Sequence, residues 1–136
     1  KNRYVGAKIR TGSFTSTDIE LQSVEMDGNL TQTPEFPYNW MYDGSRPQMP
    51  GFEMEITCKS LFLIFKDSGE MDVGKANVFV NDVYCMTADP HKNNWLHCNA
   101  VLLFWETESR SHKVRIAVTE EDRNKKFTIL GFGYTI

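Results

Sequence analysis

The densest group of reactive side chains in the sequence lies between positions 89 and 99. It holds two of the three histidines together with acidic, amide, aromatic and thiol groups: Asp89, His91, Asn93, Asn94, Trp95, His97, Cys98 and Asn99. These residue types are able to bind a metal ion, to provide a nucleophile or to hold a saccharide. Their spacing favours some of these chemistries over others.

A metal centre is one interpretation of this segment. Asp89, His91, His97 and Cys98 offer oxygen, nitrogen and sulfur atoms of the kinds that zinc takes, but their spacing matches no strong zinc pattern. A structural calcium ion is the better alternative in a β-sandwich, although no Asp-rich loop marks a site for it. We therefore predict no metal and no cofactor, with structural calcium as the alternative.

Catalysis is less well supported by the sequence. Cys98 and His97 are neighbours, and consecutive side chains of a strand point to opposite faces, so they are poorly placed to act as nucleophile and base. The sequence has no Gly-x-Ser-x-Gly elbow, Gly-rich phosphate loop, His-Glu-x-x-His or Cys-x-x-Cys motif. Glu53 and Glu55 are typical of the solvated face of a strand. We predict that the chain is not an enzyme.

Saccharide binding fits the same segment better. A sugar ring needs an aromatic platform for its C–H face and fixed amide, carboxylate or imidazole groups for its hydroxyls. Trp95 provides the platform, and the polar groups beside it are Asp89, His91, Asn93, Asn94 and His97. A second set contains Trp40, Tyr42 and Arg46, together with Tyr38 and Asp43. For each aromatic residue core packing is an equal alternative, and the Asn and His side chains can instead satisfy local backbone groups.

Most of the elements that would position these residues are strands. Apolar and polar residues alternate over positions 52–58, while the apolar run at 60–65 predicts a central strand covered on both faces. Positions 76–80 and 83–86 predict an antiparallel hairpin with Asn81 and Asp82 in its turn. Further strands are predicted over 101–105, 112–119 and 127–136, the last interrupted by Gly131 and Gly133 as bulges or points of close approach.

The remaining segments are predicted to be irregular. Positions 15–21 are the one place where the sequence indicates a helical turn, and 28–50, with four of the five prolines, predict a long loop. Long structured loops in compact domains tend to be functional. Many short strands separated by polar turns predict an all-β fold, a jelly-roll β-sandwich of two antiparallel sheets. We expect one domain over residues 1–136.

Charge and composition exclude several classes of partner. The net charge is −3, which argues against nucleic acid and against an anionic membrane surface. The longest apolar run, 61–65, is far too short to span a bilayer, so no membrane partner is expected. Three cysteines are too few and odd in number for a disulfide-rich secreted scaffold. The compartment stays open between extracellular, as a polysaccharide-binding module requires, and cytoplasmic.

Four segments, 74–82, 88–99, 112–116 and 127–133, together resemble the jelly-roll domain that accompanies bacterial SGNH/GDSL hydrolases. Their pattern is also similar to the ancillary domain of carbohydrate esterase family 2 and to galactose-binding-like modules. The resemblance implies a β-sandwich accessory domain of a carbohydrate-active hydrolase of the deacetylating esterase type. The sequence lacks the Gly-Asp-Ser and Asp-x-x-His blocks of those hydrolases, since Asp89 and His91 are only two positions apart. The accessory fold is therefore implied without the catalysis.

Two hypotheses follow from the sequence. In the first, the chain is a carbohydrate-binding module whose exposed aromatic residues stack on a polysaccharide or oligosaccharide. In the second, it is a structural domain that packs on an SGNH-type catalytic domain, in the same or another chain, and shapes its cleft without binding sugar alone. The first predicts exposed, coplanar aromatic rings, and the second predicts an exposed apolar patch and self-association of the isolated domain.

Overall fold

A computed structural model of the chain describes residue 4 and residues 6–17, 39–92 and 98–136. These residues form eight strands: β1 (Lys8–Arg10), β2 (Thr15–Thr17), β3 (Asn39–Tyr42), β4 (Phe52–Lys66), β5 (Ala76–Val80), β6 (Val83–Ala88), β7 (Cys98–Val118) and β8 (Phe127–Thr135). All pairings between these strands are antiparallel. Within the described ranges the one helical element is a short 3-10 turn, Glu120–Asp122, and no helix is long and apolar enough to cross a membrane.

Two long strands, β4 and β7, bend at bulges and so take part in both layers of the fold. Their register shifts between Cys58 and Ser60, where residues 106–109 of β7 face a single position of β4, and it shifts again after Leu61. Bulges bend a strand and increase its twist. One continuous sheet, in the order β2-β3-β8-β4-β7-β5-β6 with β1 beside β4, thereby forms two layers.

The first layer consists of β1, the first half of β4, the second half of β7, β5 and β6. The second layer consists of β2, β3, β8, the second half of β4 and the first half of β7. Their inner faces meet in an aromatic core, where the ring of Phe52 lies 5.1 Å from Trp40 and 5.6 Å from Phe132, measured between centroids. The predicted all-β antiparallel sandwich is confirmed.

The β5–β6 hairpin has the turn that the sequence predicts. Asn81 and Asp82 have φ values of 52° and 67°, in the left-handed region that these residue types tolerate. Asn81 Oδ1 accepts the backbone N–H of Lys113 at 3.0 Å, and Lys113 Nζ lies 2.8 Å from Asp82 Oδ1. These contacts attach the hairpin tip to β7.

Strand boundaries differ from the sequence prediction in four places. The two strands predicted at 52–58 and 60–65 are one, and so are those predicted at 101–105 and 112–119, because each pair is joined across a bulge. Thr15–Thr17 is a strand and not a helical turn, since it pairs with β3, while residues 18–21 lie outside the described residues. Asn39–Tyr42 is a strand within the predicted loop because it pairs with β8, and 28–38 are not described.

The prediction that 60–65 is covered on both faces was wrong. Leu61, Leu63 and Phe65 are buried, but Phe62 is 40% exposed and Ile64 only half-buried. A sandwich of two layers covers only the inner face of each, so every second residue of this strand points outward. The irregularity predicted at the glycines of β8 is a bulge at Leu130, next to Gly131.

Candidate functional site

Two of the aromatic residues predicted to stack on sugars lie in the core. Trp40 is 6% and Tyr42 is 4% exposed, and Trp40 packs against Phe52. The Tyr42 hydroxyl donates a hydrogen bond to the backbone oxygen of Arg123, and burial raises its pKa. The prediction that these rings form an exposed platform was therefore wrong, because β3 turns both of them toward the inner face of the second layer.

Arg46, the cation of the same predicted set, lies on the surface. Its Nη2 donates to Thr15 Oγ1 at 3.2 Å, which ties the loop after β3 to β2. A shallow groove of about 370 Å³ opens nearby, and the polar groups of its lining include Ser13, Gln48 and the ion pair of Arg123 with Glu120. Arg46 does not line this groove. Trp40, Tyr42 and Arg46 thus do not converge on one site.

Asp89 and His91 stabilise a loop junction. Asp89 Oδ1 accepts the backbone N–H of His91 at 3.0 Å, and His91 Nε2 lies 2.6 Å from the backbone oxygen of Val73. A carbonyl oxygen only accepts, so His91 carries a proton on Nε2 and donates it. The alternative in which this histidine satisfies a local backbone group is the one that the structure supports.

The other predicted site residues in this segment, Asn93, Asn94, Trp95 and His97, lie outside the described residues. Their part in saccharide binding therefore stays a prediction. Over the ranges that the structure describes, no three His, Cys, Asp or Glu residues come together as ligands for a metal ion.

A buried histidine that the sequence analysis did not single out as a site links the hairpin tip to the bulge of β7. Asn81 Oδ1 already accepts from Lys113, so its amide NH2 group faces His112 Nδ1 at 2.9 Å. Nδ1 must then accept, and Nε2 carries the proton that is donated to Glu106 Oε1 at 2.9 Å. This chain of hydrogen bonds holds Glu106 and the bulge in place.

The thiols of Cys58 and Cys85 are poorly suited to nucleophilic chemistry. Burial, followed by the negative charge of Glu106, raises the pKa of Cys58, and burial also raises the pKa of Cys85. The thiolate is the reactive form, so a reactive cysteine needs a lowered pKa. Neither environment favours attack on a substrate.

The outer face of the second layer is apolar and partly uncovered. We call it the open face; its rows are Trp105 with Ser60 and Thr135, Leu102 with Phe62 and Gly133, and Ala100 with Ile64 and Gly131. Trp105 is 80% and Leu102 46% exposed. The hydroxyls of Ser60 and Thr135 are hydrogen-bonded to each other at 2.7 Å. Exposed apolar side chains grouped on one sheet face are typical of a surface that contacts another molecule.

The outer face of the first layer is charged. Across its strands lie cross-strand pairs of opposite sign: Lys8 with Glu55, Arg10 with Glu53, Glu53 with Arg115, and Glu55 with Lys113. We call this the charged face. Glu55 and Lys113 are exposed, and Glu53 and Arg115 are partly exposed, as the solvated interpretation of Glu53 and Glu55 predicts.

Beside the charged face, the hairpin adds aromatic and amide groups. We define the hairpin patch as Asn77, Phe79, Tyr84, Thr87 and Arg115. The Arg115 guanidinium carbon lies 4.1 Å from the centroid of the Phe79 ring, and the Tyr84 ring meets Phe79 edge-on with centroids 6.1 Å apart. Tyr84 is 57% exposed. None of these five residues belongs to the two sets that the sequence predicts as saccharide-binding.

The geometry defines an antiparallel β-sandwich with one charged and one apolar outer face. Its fold is similar to part of a two-domain esterase (CEX) active on acetylated mannans, with a TM-score of 0.61 and 14% identity over 98% of this chain and 34% of that one. For the same esterase co-crystallised with mannopentaose, the TM-score is 0.56 at 16% identity, covering 93% and 33%. The Agl-KA catalytic domain has a TM-score of 0.51 at 14% identity, covering 98% and 27%.

At these identities the likeness shows the fold. The chain spans about a third of the length of the esterase and about a quarter of the Agl-KA structure. Its sequence matches no protein-family model and no curated protein. The resemblance to sandwiches associated with carbohydrate esterases is thus confirmed at the level of the fold.

Proposed function

We propose that this chain is a non-catalytic β-sandwich module that binds polysaccharide and works beside an esterase domain. The observation that carries the proposal is the shared fold, which covers 98% of this chain but 34% of a two-domain esterase active on acetylated mannans. A chain of that extent corresponds to one part of such an enzyme. The polysaccharide that we propose first is accordingly a mannan.

The chemistry of the described residues supports a non-catalytic role. His91 and His112 both use Nε2–H in structural hydrogen bonds, to Val73 and to Glu106. The pKa values of Cys58 and Cys85 are raised, which disfavours the thiolate. A general base needs a free lone pair beside a nucleophile, and the Nδ1 lone pair of His112 accepts from Asn81.

Exposed aromatic rings support the binding part of the proposal. Trp105 and Tyr84 are the two most exposed aromatic side chains in the described part of the chain, and they lie on different layers. A sugar ring stacks its C–H face on such a ring, and a single exposed platform gives affinities of roughly micromolar to millimolar. These two rings replace Trp40 and Tyr42 as platforms in our proposal.

A second candidate role, packing on a catalytic domain, is favoured by the open face. Phe62, Leu102 and Trp105 project from adjacent strands and are 40% or more exposed. A surface of this composition gains free energy when it is covered, at about 25 cal/mol per Å² of apolar area removed from water. In this role the chain would pack against an SGNH-type esterase domain and shape its substrate cleft.

The proposed function is tested with the isolated chain by calorimetric titration with mannopentaose and by an acetate-release assay on acetylated mannan. Xylopentaose and cellopentaose serve as matched probes of the same length. We expect saturable binding of at least one oligosaccharide and no acetate release above buffer. Acetate release that rises in proportion to the protein concentration would overturn the non-catalytic assignment. A folded chain that binds none of the three, yet self-associates, would favour the packing role instead.

A further inference from the structure

The hairpin patch combines a ring, an amide and a guanidinium in fixed positions on one face. Tyr84, Phe79 and Arg115 lie in one row across β6, β5 and β7, and Thr87 with Asn77 forms a row beside it. The contact of Arg115 with one face of Phe79 and the edge-on contact of Tyr84 with the same ring restrict all three side chains. The exposed Tyr84 ring is therefore pre-positioned.

A directional chain of hydrogen bonds runs through the patch. Thr87 Oγ1 donates its only proton to Asn77 Oδ1 at 2.8 Å. The Tyr84 hydroxyl, 2.7 Å from Thr87 Oγ1, must then be the donor of that second bond. This direction leaves the lone pairs of the Tyr84 oxygen unused within the chain of hydrogen bonds, as acceptors for a ligand.

The same chain fixes the side-chain amide of Asn77. Because Oδ1 is held by Thr87, the orientation of the amide is set, and Nδ2 has two N–H groups to offer. Within the described residues, Asn77 is bonded through Oδ1, and Nδ2 donates no hydrogen bond. Donors and acceptors at fixed positions beside an aromatic ring are what a sugar needs, since its hydroxyls both donate and accept.

We infer that the hairpin patch is a saccharide-binding site in which Tyr84 stacks on a hexopyranose ring while Asn77 and Arg115 donate hydrogen bonds to its hydroxyls. The inference rests on the proposed function and deepens it by assigning the site.

The open face is a weaker site for a sugar. Its polar groups beside Trp105 are the hydroxyls of Ser60 and Thr135, which are bonded to each other. It offers apolar contact without fixed amide or guanidinium groups in the same rows. A sugar stacked there would leave more of its hydroxyls without protein partners, so we assign the two faces different ligands.

The experiment is the mannopentaose titration repeated on three hairpin variants, on Trp105→Ala of the open face and on one control, each checked for folding by thermal unfolding. Tyr84→Ala removes the platform, and Asn77→Asp keeps the acceptor for Thr87 but deletes the Nδ2 donors. We expect both to weaken binding about tenfold or more, which corresponds to a loss of about 1.4 kcal/mol. Tyr84→Phe keeps the ring but removes the hydroxyl acceptor, so we expect a loss of about threefold, smaller than that of Tyr84→Ala. The control Met71→Ser changes an exposed apolar side chain in the loop between β4 and β5, outside the hairpin patch, and should leave the affinity unchanged.

The outcomes separate this inference from the proposed function. If the parent chain binds mannopentaose and Tyr84→Ala binds it equally well, the site is wrong and the function stands. The same holds if Trp105→Ala is the variant that loses binding, because the sugar then sits on the open face. If the folded parent chain binds none of the three oligosaccharides, the binding part of the proposed function fails together with the site.

Discussion

The two outer faces of the sandwich are built from the same two long strands and yet have opposite character. On the first layer, β4 and β7 contribute Glu53, Glu55, Lys113 and Arg115, which pair across the strands with opposite charge. On the second layer, beyond the bulges, the same strands contribute Phe62, Leu102 and Trp105. The outward residues of a strand are not constrained by packing in the core. Whether they are charged or apolar therefore reflects what each face contacts. The charged face suits water and sugar hydroxyls, and the open face suits another apolar surface.

The bulges in β4 and β7 are what allow this division. Before Cys58 the even-numbered residues of β4 point inward, and from Leu61 onward the odd-numbered ones do. A bulge changes which side chains face the core, so one strand is able to place a charged row on one layer and an apolar row on the other. The hydrogen bonds of His112 with Glu106 and Asn81 hold the bulged segment of β7 beside the hairpin tip.

The largest expected change in stability comes from comparing an inner-face and an outer-face phenylalanine of the second layer. Phe132 and Phe62 belong to neighbouring strands, but Phe132 is 5% exposed and contacts Phe52, whereas Phe62 is 40% exposed. We expect Phe132→Ala to lower the free energy of unfolding by about 3 to 5 kcal/mol, because it leaves a cavity in the core. Phe62→Ala should cost about 1 kcal/mol or less. Urea unfolding at one temperature measures both. Equal losses would mean that Phe62 is packed as a core residue and that the open face is covered.

A smaller effect is expected on the charged face. Glu53 lies between Arg10 and Arg115 in its row, so Glu53→Lys would place three cations side by side. We expect a loss of about 1 kcal/mol at low salt, because like charges directly opposite each other destabilise a sheet, and a smaller loss at high salt. Glu108→Lys reverses the same charge in the bulge of β7 and serves as the control. Denaturation at two ionic strengths that shows no difference between the variants would mean that the cross-strand charges do not interact.

Much of the fold could be predicted because strand periodicity and turn chemistry are local. The alternation over 52–58 and the Asn81-Asp82 turn gave the strand and the hairpin that the structure contains. Strand β3 could not be predicted, since its four residues are stable only through pairing with β8 and β2. The continuity of β4 and β7 was also missed, because a bulge interrupts the alternation in the sequence without ending the strand.

The binding residues were harder to predict because an aromatic residue occurs on the buried face of a strand as well as on the exposed one. Trp40 is predicted as a platform but lies in the core, whereas Trp105, at the end of the strand predicted over 101–105, projects outward. In a run such as 60–65 every residue is compatible with either face, so the sequence does not say that Phe62 is the exposed one. The hairpin patch had one signal, the alternation that turns Phe79 away from Val78. The partners of that ring come from two other strands.

The smallest expected effect on stability carries the sharpest information about the open face. Trp105→Lys combined with Leu102→Lys replaces two exposed apolar side chains, so we expect the free energy of unfolding to stay within about 0.5 kcal/mol of the parent. In the parent chain we expect concentration-dependent self-association, because the isolated module leaves this face uncovered. The double variant should be monomeric. Sedimentation velocity over a range of concentrations measures the difference.

Met71→Lys is the matched control, since it adds a positive charge at an exposed apolar residue in the loop between β4 and β5, which is not one of the residues that define the open face. Self-association that persists in the double variant but is lost in the control would place the contact elsewhere. A parent chain that stays monomeric at all concentrations would contradict the packing role of the open face. It would mean that covering this apolar surface with a second copy releases too little free energy to hold the copies together. Loss of association in the double variant, with mannopentaose binding unchanged, would instead show that the two faces act independently.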